Sequence, residues 1–332
     1  MALMNTQVRL ASRPTGFPDE SSFRITKEPV PELRDGEVLV RNHFLSVDPY
    51  MRGRMNEGQS YAPPVALGDV MVGGTAGEVI ASKNTLFSVG ERVVGSLGWQ
   101  EYGISDGCGL KKVEGKLPLS VYLGSVGMPG VTAYIGLYDI GEPKEGETVV
   151  VSAAAGAVGS VVGQLAKIRG CRAVGIAGGK AKCDYVVGEL GFDACVDYKS
   201  RHFHDALRAA VPNGIDVNFE NVGGPIMDSV IGLLNTFGRV SLCGLVSQYN
   251  EVDAYGLKNV PALLWKRVKL QGFIVSDRMD RWPRALADLE RWVGEGKIRY
   301  RETITEGITN APRAFFGMLR GENLGKQIVK LV

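Results

Sequence analysis

Val149-Val150-Val151-Ser152-Ala153-Ala154-Ala155-Gly156-Ala157-Val158-Gly159-Ser160 joins a β-branched run to a cluster of small residues. Apolar residues at helical spacing follow at once: Val161, Val162, Leu165, Ala166 and Ile168. The expected structure is a strand, a tight turn and the start of a helix. Small turn residues let the backbone come close to a phosphate, and a helix N-terminus presents N–H groups at the positive end of its dipole. That is the geometry of a dinucleotide pyrophosphate site. The run departs from the G-x-G-x-x-G fingerprint, because Ala154 holds the first glycine position and Gly156 and Gly159 the other two. Alone, it also fits an ordinary strand-to-helix turn of a parallel sheet.

The surrounding segments favour the nucleotide reading. From about Leu123 to Gly296, short apolar strands alternate with helical patterns. Strands are expected at Thr148–Ser152, Arg172–Ala177, Ala194–Val196, Asp216–Glu220, Gly238–Cys243 and Lys269–Val275, and a helix over Arg284–Glu295. Such alternation implies a doubly wound parallel sheet. The second strand, Arg172–Ala177, runs into Gly178-Gly179-Lys180-Ala181-Lys182. An NAD site places a carboxylate there for the ribose hydroxyls. None is present, and Lys180 or Lys182 can meet a 2′-phosphate, with one charged hydrogen bond contributing about 1.5–3 kcal/mol. NADPH is therefore the expected cofactor, against the alternative of a merely solvated basic loop.

The segment before Leu123 reads as β-rich. Glu37–Asn42 alternates like a half-buried strand, Val70–Ile80 is apolar and rich in glycine, and Glu91–Gly95 is a further short strand. Gly and Pro between short runs suggest a barrel or a partly open sheet. The tail carries a strand at Gln327–Val332 expected to rejoin this region. The expected domains are thus 1–122 with 299–332, and 123–298.

Composition narrows the class. The chain has 332 residues, 45% of them hydrophobic and 22% charged, with a net charge of +2. This is the profile of a soluble globular protein without a nucleic-acid footprint. No apolar run approaches the roughly 20 residues of a membrane span. Residues 1–15 lack a signal core, so a cytoplasmic location is expected. The five cysteines, Cys108, Cys171, Cys183, Cys195 and Cys243, form no C-x-x-C pair and read as reduced, mostly buried residues. With His43, His202 and His204 they show no metal-ligand spacing, so no metal site is expected.

Several further segments carry a family resemblance. They are Val47-Asp48-Pro49-Tyr50-Met51-Arg52-Gly53-Arg54-Met55, Gly127–Tyr134, Pro143–Thr148, Glu220-Asn221-Val222-Gly223-Gly224, Cys243–Asn250, Leu270–Val275 and Asn323-Leu324-Gly325-Lys326. In this order the chain resembles the zinc-independent medium-chain dehydrogenase/reductases. Within them it is similar to the NADPH-dependent alkenal/one, leukotriene and prostaglandin reductases, and above all to the bacterial curcumin reductase branch. The resemblance implies a GroES-like β-barrel catalytic domain with an inserted Rossmann domain, homodimers, and saturation of a C=C bond conjugated to a carbonyl. Gly68–Gly73 lies where zinc-dependent cousins carry a Gly-His-Glu segment.

Without a metal, the carbonyl needs a hydrogen-bond donor where enolate charge develops. A tyrosine hydroxyl suits this, being neutral at pH 7 and able to pass a proton. The resemblance puts Tyr249, in Ser247-Gln248-Tyr249-Asn250, first for this role. By the same resemblance Tyr61, in Gln59–Pro64, is a substrate contact or second donor, and Tyr50, beside Pro49, either borders the nicotinamide as a further donor candidate or is plain packing. Arg52 and Arg54 are expected to form structural ion pairs or anchor loops rather than take part in catalysis. Ala155, Gly156, Ala157 and Val158 are expected to cradle the pyrophosphate, and Thr132 to touch phosphate or ribose. Gly179, Lys182 and Tyr198 surround the 2′-phosphate, with Lys182 preferred to Lys180. Asn221, Cys243, Gly244, Leu245 and Ser247 fall after strand ends, and Phe273, Ile274, Val275 and Asn323 are expected to meet the nicotinamide. Trp265 stands where plant relatives carry a tyrosine, so a plant-type proton donor is not carried over. An NADPH:quinone oxidoreductase and a non-catalytic NADPH-binding protein remain alternatives.

Overall fold

A computed structural model describes residues 2–332. The chain divides into two units, one running through Gly124 and including Glu302–Val332, the other Ser125–Arg301. In the first unit β1 (Met4–Leu10) pairs antiparallel with β2 (Phe23–Pro29), Leu10 lying opposite Phe23. Then come β3 (Val38–Ser46), α1 (Tyr50–Arg54), β4 (Thr75–Ser82), β5 (Arg92–Gly95), β6 (Tyr102–Ser105) and β7 (Lys111–Lys112). The glycines expected near Val70–Ile80 have a steric purpose. A Cβ on Gly77 would sit 2.2 Å from the Arg41 carbonyl oxygen, so β4 can lie this close to β3 only without a side chain there.

The second unit opens with α2 (Met128–Ile135), β8 (Thr148–Ser152), α3 (Gly159–Ile168), β9 (Arg172–Ala177), α4 (Lys180–Gly188) and β10 (Ala194–Asp197). It continues with α5 (Phe203–Ala210), β11 (Ile215–Glu220), α6 (Gly224–Leu233), β12 (Leu234–Leu242), α7 (Val260–Trp265), β13 (Lys269–Gly272) and α8 (Trp282–Gly294). The six strands lie in the order β10-β9-β8-β11-β12-β13, and every neighbouring pair is parallel. This is the order of a Rossmann sheet, and the direction of strand succession reverses between β8 and β11. Ligands bind outside the carboxyl ends of strands at such a switch point. β8 is wholly buried, as a central parallel strand requires.

The chain then returns to the first unit with β14 (Glu302–Glu306), α9 (Ala311–Leu319) and β15 (Lys326–Lys330). Its larger sheet follows the path β14-β15-β3-β4-β5-β7, with β6 on β3. Among the described residues this path is open at both ends, so no closed barrel is formed. Phe23 stacks on Trp99 at 5.6 Å, and Phe315 of α9 meets Trp99 edge-on at 5.7 Å. These rings centre the core of this unit, which thereby ties the C-terminal tail to the N-terminal strands.

Three expected elements need correction. The strand expected over Lys269–Val275 stops at Gly272, because Phe273 leaves the sheet to fill the space above Gly136. The strand expected over Gly238–Cys243 begins at Leu234 and ends at Leu242. The Cys243 N–H makes the last ladder bond, to the Glu220 carbonyl at 2.9 Å, and the Gly244 N–H turns to that same carbonyl at 3.1 Å, which ends the ladder. Ile168, expected on the apolar face of α3, is exposed at its last position.

Candidate cofactor and catalytic site

The β8–α3 turn is built around Ala153, held at φ +51°, whose carbonyl accepts the Gly156 N–H at 2.9 Å. A Cβ on Gly159 would meet that same carbonyl oxygen at 2.3 Å, so the third fingerprint position has to be glycine here. Ala155 is buried, and Gly156, Ala157 and Val158 bring the chain into α3. Val158 at the helix N-cap makes no side-chain cap. A turn without bulk leading into an uncapped helix suits a pyrophosphate, and these residues fit the dinucleotide.

At the end of β9, the ring of Tyr198 occupies the space a Cβ on Gly178 would need, at 2.8 Å. Gly179 adopts φ +91° with nothing near its missing side chain, and its N–H donates to Asp197 Oδ1 at 2.8 Å. Asp197 also accepts the Lys199 N–H at 2.9 Å, and these backbone donors hold its carboxyl below the usual range. The two candidate lysines differ. Lys180 is exposed and paired with Asp184 at 2.6 Å. Lys182 is half-buried, and burial together with the nearby Lys199 charge lowers its ammonium below the ordinary value. The Lys199 charge thus acts on Lys182 beside Asp197, whose carboxylate is engaged by backbone, an arrangement suited to an anion.

At the switch point, β11 ends on Glu220, which is fully buried. Its Oε1 accepts from the Ser152 hydroxyl at 2.8 Å and from the Val222 and Gly223 N–H groups at 2.7 and 2.8 Å. Its Oε2 accepts from Asn218 Nδ2 at 3.0 Å. Burial raises its carboxyl above the ordinary value, and these hydrogen bonds oppose the rise. Asn221 is fastened to Ser152 twice, at 2.8 Å through its N–H and 2.8 Å through Nδ2. The Ser247 hydroxyl donates to the Val222 carbonyl at 2.7 Å. Glu220 therefore organises the loops that carry Asn221, Gly244, Leu245 and Ser247. It was not among the expected site residues. Cys243 is half-buried, and burial with the adjacent Glu220 carboxyl pushes its thiol up to about 12, so little thiolate is present at neutral pH.

The Tyr249 hydroxyl folds back over this loop. It accepts the Leu245 N–H at 3.3 Å and lies 3.2 Å from where a Gly244 Cβ would stand. Thr132 donates to the Met128 carbonyl one helical turn back at 2.8 Å, so its hydroxyl faces its own helix. The Phe273 ring is wedged against Phe219, edge-on at 6.2 Å. It acts as packing, and the carbonyls that follow are engaged as well, that of Ile274 by the Asp277 N–H at 3.0 Å and that of Val275 by Trp282 Nε1 at 3.1 Å. Trp265 ends α7 with 64% of its surface exposed.

In the first unit, Tyr50 opens α1 after Pro49, its N-cap. Burial, then the Asp48 charge, raise its hydroxyl well above the ordinary value, and Arg54 and Tyr61 are close enough to act on it. Arg54 lies over the Tyr61 ring at 5.6 Å and donates to the Pro63 carbonyl at 2.6 Å. Tyr50, Arg54 and Tyr61 thus form one cluster. Arg52 anchors a loop, donating to the Gly16 carbonyl at 2.8 Å and the Pro14 carbonyl at 3.2 Å. Asn323 Nδ2 donates to the Gly325 carbonyl at 2.7 Å, shaping the turn before β15. Below Pro49, Lys326 Nζ donates to Asp48 Oδ1 at 2.9 Å in a fully buried pair.

A family model described as the N-terminal domain of oxidoreductase matches residues 6–113, and one described as zinc-binding dehydrogenase matches residues 157–291. Among the described residues no three His, Cys, Asp or Glu side chains gather as a metal site. The chain is 48% identical over 330 residues to the NADPH-dependent curcumin reductase of Escherichia coli (strain K12), covering 97% of this chain and 95% of that one. It is 48% identical over 326 residues to prostaglandin reductase 1 of Rattus norvegicus, covering 95% of each. The crystal structure of CurA in complex with NADPH from Vibrio vulnificus matches with a TM-score of 0.94 at 50% identity, over 98% of this chain and 99% of that one. With an open Rossmann sheet, a bare β8–α3 turn and these full-length relatives, the chain belongs to the NADP-dependent medium-chain dehydrogenase/reductase family.

Proposed function

We propose that the protein is an NADPH-dependent reductase of C=C bonds conjugated to a ketone or aldehyde. One observation carries the reading: a chain nearly half identical to a curcumin reductase and a prostaglandin reductase has two lysines, Lys180 and Lys182, and no carboxylate in the segment Gly178–Lys182 that follows β9. NADPH, when bound, supplies the hydride. The Ser125–Arg301 unit is its binding domain, with Ala155 to Val158 on the pyrophosphate and Gly179, Lys182 and Tyr198 at the 2′-phosphate. The first unit is the catalytic domain, of GroES-like type. Tyr249 donates its hydroxyl to the substrate carbonyl oxygen, where negative charge develops, and can pass a proton there. Tyr61 and Tyr50 are the further donor candidates. Glu220 holds the loops that present Tyr249.

The test is consumption of NADPH with curcumin, a short aliphatic enone and a benzoquinone in parallel, NADH as the control, and products identified by mass. Saturated ketones formed with NADPH are the expected result. Turnover of the quinone alone would replace this reading with a quinone oxidoreductase, and NADPH binding without turnover with a binding protein.

The half-buried position of Lys182 near the Lys199 charge, against the exposed position of Lys180, supports Lys182 as the phosphate partner. Lys182→Ala is expected to raise the KM for NADPH by about 10- to 100-fold, the equivalent of one charge-assisted hydrogen bond, and to leave the KM for NADH nearly unchanged. Equal effects on both cofactors would remove that role.

We further propose a cytoplasmic homodimer. Leu264 and Trp265 on α7 are 82% and 64% exposed, and the nearby edge strand β13 is open on one side. Such a patch beside an unpaired strand favours a second copy.

A further inference from the structure

The packing of α4 against the sheet brings two thiols together. Gly175 on β9 lies opposite Cys195 on β10. A Cβ on Gly175 would come within 2.9 Å of Val186 Cγ1 and 3.3 Å of Cys195 Sγ. The missing side chain leaves a slot on this face of the sheet, which Cys195 and Val186 of α4 share. Cys183 precedes Val186 by three residues on α4, which places it on the same helical face. Its thiol is a hydrogen-bonding neighbour of the Cys195 thiol. Both are free thiols at partly exposed positions.

We propose that Cys183 and Cys195 form a redox-modification site, closed to a disulfide by hydrogen peroxide. Burial raises both thiols above their ordinary value, Cys195 the more; at Cys183 the contact with the Cys195 thiol opposes the rise, and the Asp197 and Asp184 charges add to it. Cys183 therefore reacts first, and slowly at neutral pH. Its sulfur attacks one peroxide oxygen. An S–O bond forms, the O–O bond breaks, and the departing hydroxide takes a proton to become water. Cys195 then attacks the Cys183 sulfur, forming the S–S bond and breaking S–O, and the second water leaves. The two thiols lose two electrons and two protons, and the peroxide is reduced to two waters.

The S–S bond, about 2.05 Å long, is shorter than any contact between separate thiols. Closure therefore draws α4 toward β10. Gly179 and Lys182 ride on the first turn of α4, and Tyr198 follows β10 by one residue. Oxidation then weakens NADPH binding, a consequence that rests on the 2′-phosphate assignment above. The disulfide itself does not depend on that assignment.

The experiment uses full-length protein carrying Cys108→Ser, which removes the exposed thiol. It is treated with hydrogen peroxide, alkylated, digested and analysed by mass. The expected result is one peptide pair joined through Cys183 and Cys195, released by a reductant and absent in Cys183→Ser and in Cys195→Ala. The KM for NADPH is expected to rise at least about 5-fold relative to that for NADH on oxidation, and not in either variant. If Cys183 and Cys195 stay alkylatable after peroxide, or Cys183 passes to a sulfinic acid without the cross-link, the proposal fails. A cross-link without a change in the NADPH-to-NADH ratio leaves the modification site in place and overturns its coupling to cofactor binding.

Discussion

Tyr249→Phe is expected to lower kcat on enones by about 10- to 10³-fold, the range for loss of one donor at a developing oxyanion. The change removes one oxygen and keeps the ring. The KM for NADPH should move little, because the fold of the loop rests elsewhere: Glu220 holds the Val222 and Gly223 N–H groups, and Ser247 holds the Val222 carbonyl. The Leu245 N–H, which donates to this hydroxyl at 3.3 Å, loses a long bond. That loss is expected to cost less than about 1 kcal/mol of stability. The measurement is kcat and KM for a short enone with unfolding of both proteins in urea. A fall in kcat at unchanged stability assigns the donor role to Tyr249. An unchanged kcat moves the role to Tyr61 or Tyr50, whose cluster with Arg54 lies in the first unit.

The parts of the fold that could be read from sequence are those whose signal is local. β8 and β9 were legible because a strand buried on both faces is a continuous β-branched or small run, and both match at each end. The bare turn was legible because glycine at position 159 has one steric reason, the Ala153 carbonyl. The end of β13 was not. Phe273 is as apolar in a strand as in a plug, and only the gap above Gly136, formed by distant chain, decides between them. Glu220 was missed for the same reason. An acid at a strand end normally reaches water, and one of the partners that hold it in the interior, Ser152, is 68 residues away. The cysteines, expected to be mostly buried, differ in exposure: Cys171 alone is buried. Spacing along the chain also does not show that Cys183 and Cys195 are neighbours, because the packing of α4 on the sheet brings them together.

The buried pair of Lys326 and Asp48 makes the largest stability prediction. Lys326 Nζ donates to the Val47 carbonyl at 2.7 Å, to Asp48 Oδ1 at 2.9 Å and to the Gln327 carbonyl at 3.1 Å, so all its hydrogens are placed. Asp48 also accepts from the Ser46 hydroxyl. Burial lowers the Lys326 ammonium and the Asp48 charge opposes that, so the pair stands only while both members are present. Lys326→Met keeps most of the volume and strips the donors. It is expected to cost about 3–5 kcal/mol, because a carboxylate is left buried without its counter-charge. Adding Asp48→Asn should recover much of that loss, since a neutral amide is cheaper to bury than an unpaired charge. The same ion pair fixes β15 to the turn that presents Tyr50. Amide hydrogen exchange at residues 47–51 and 326–330 should therefore quicken in Lys326→Met and slow again in the double variant. Unfolding in urea measures the cost, and exchange shows where it falls. Losses that simply add in the double variant would mean that the two residues act separately, and that the turn is held by its packing on Met51 and Met55 rather than by the charge beneath it.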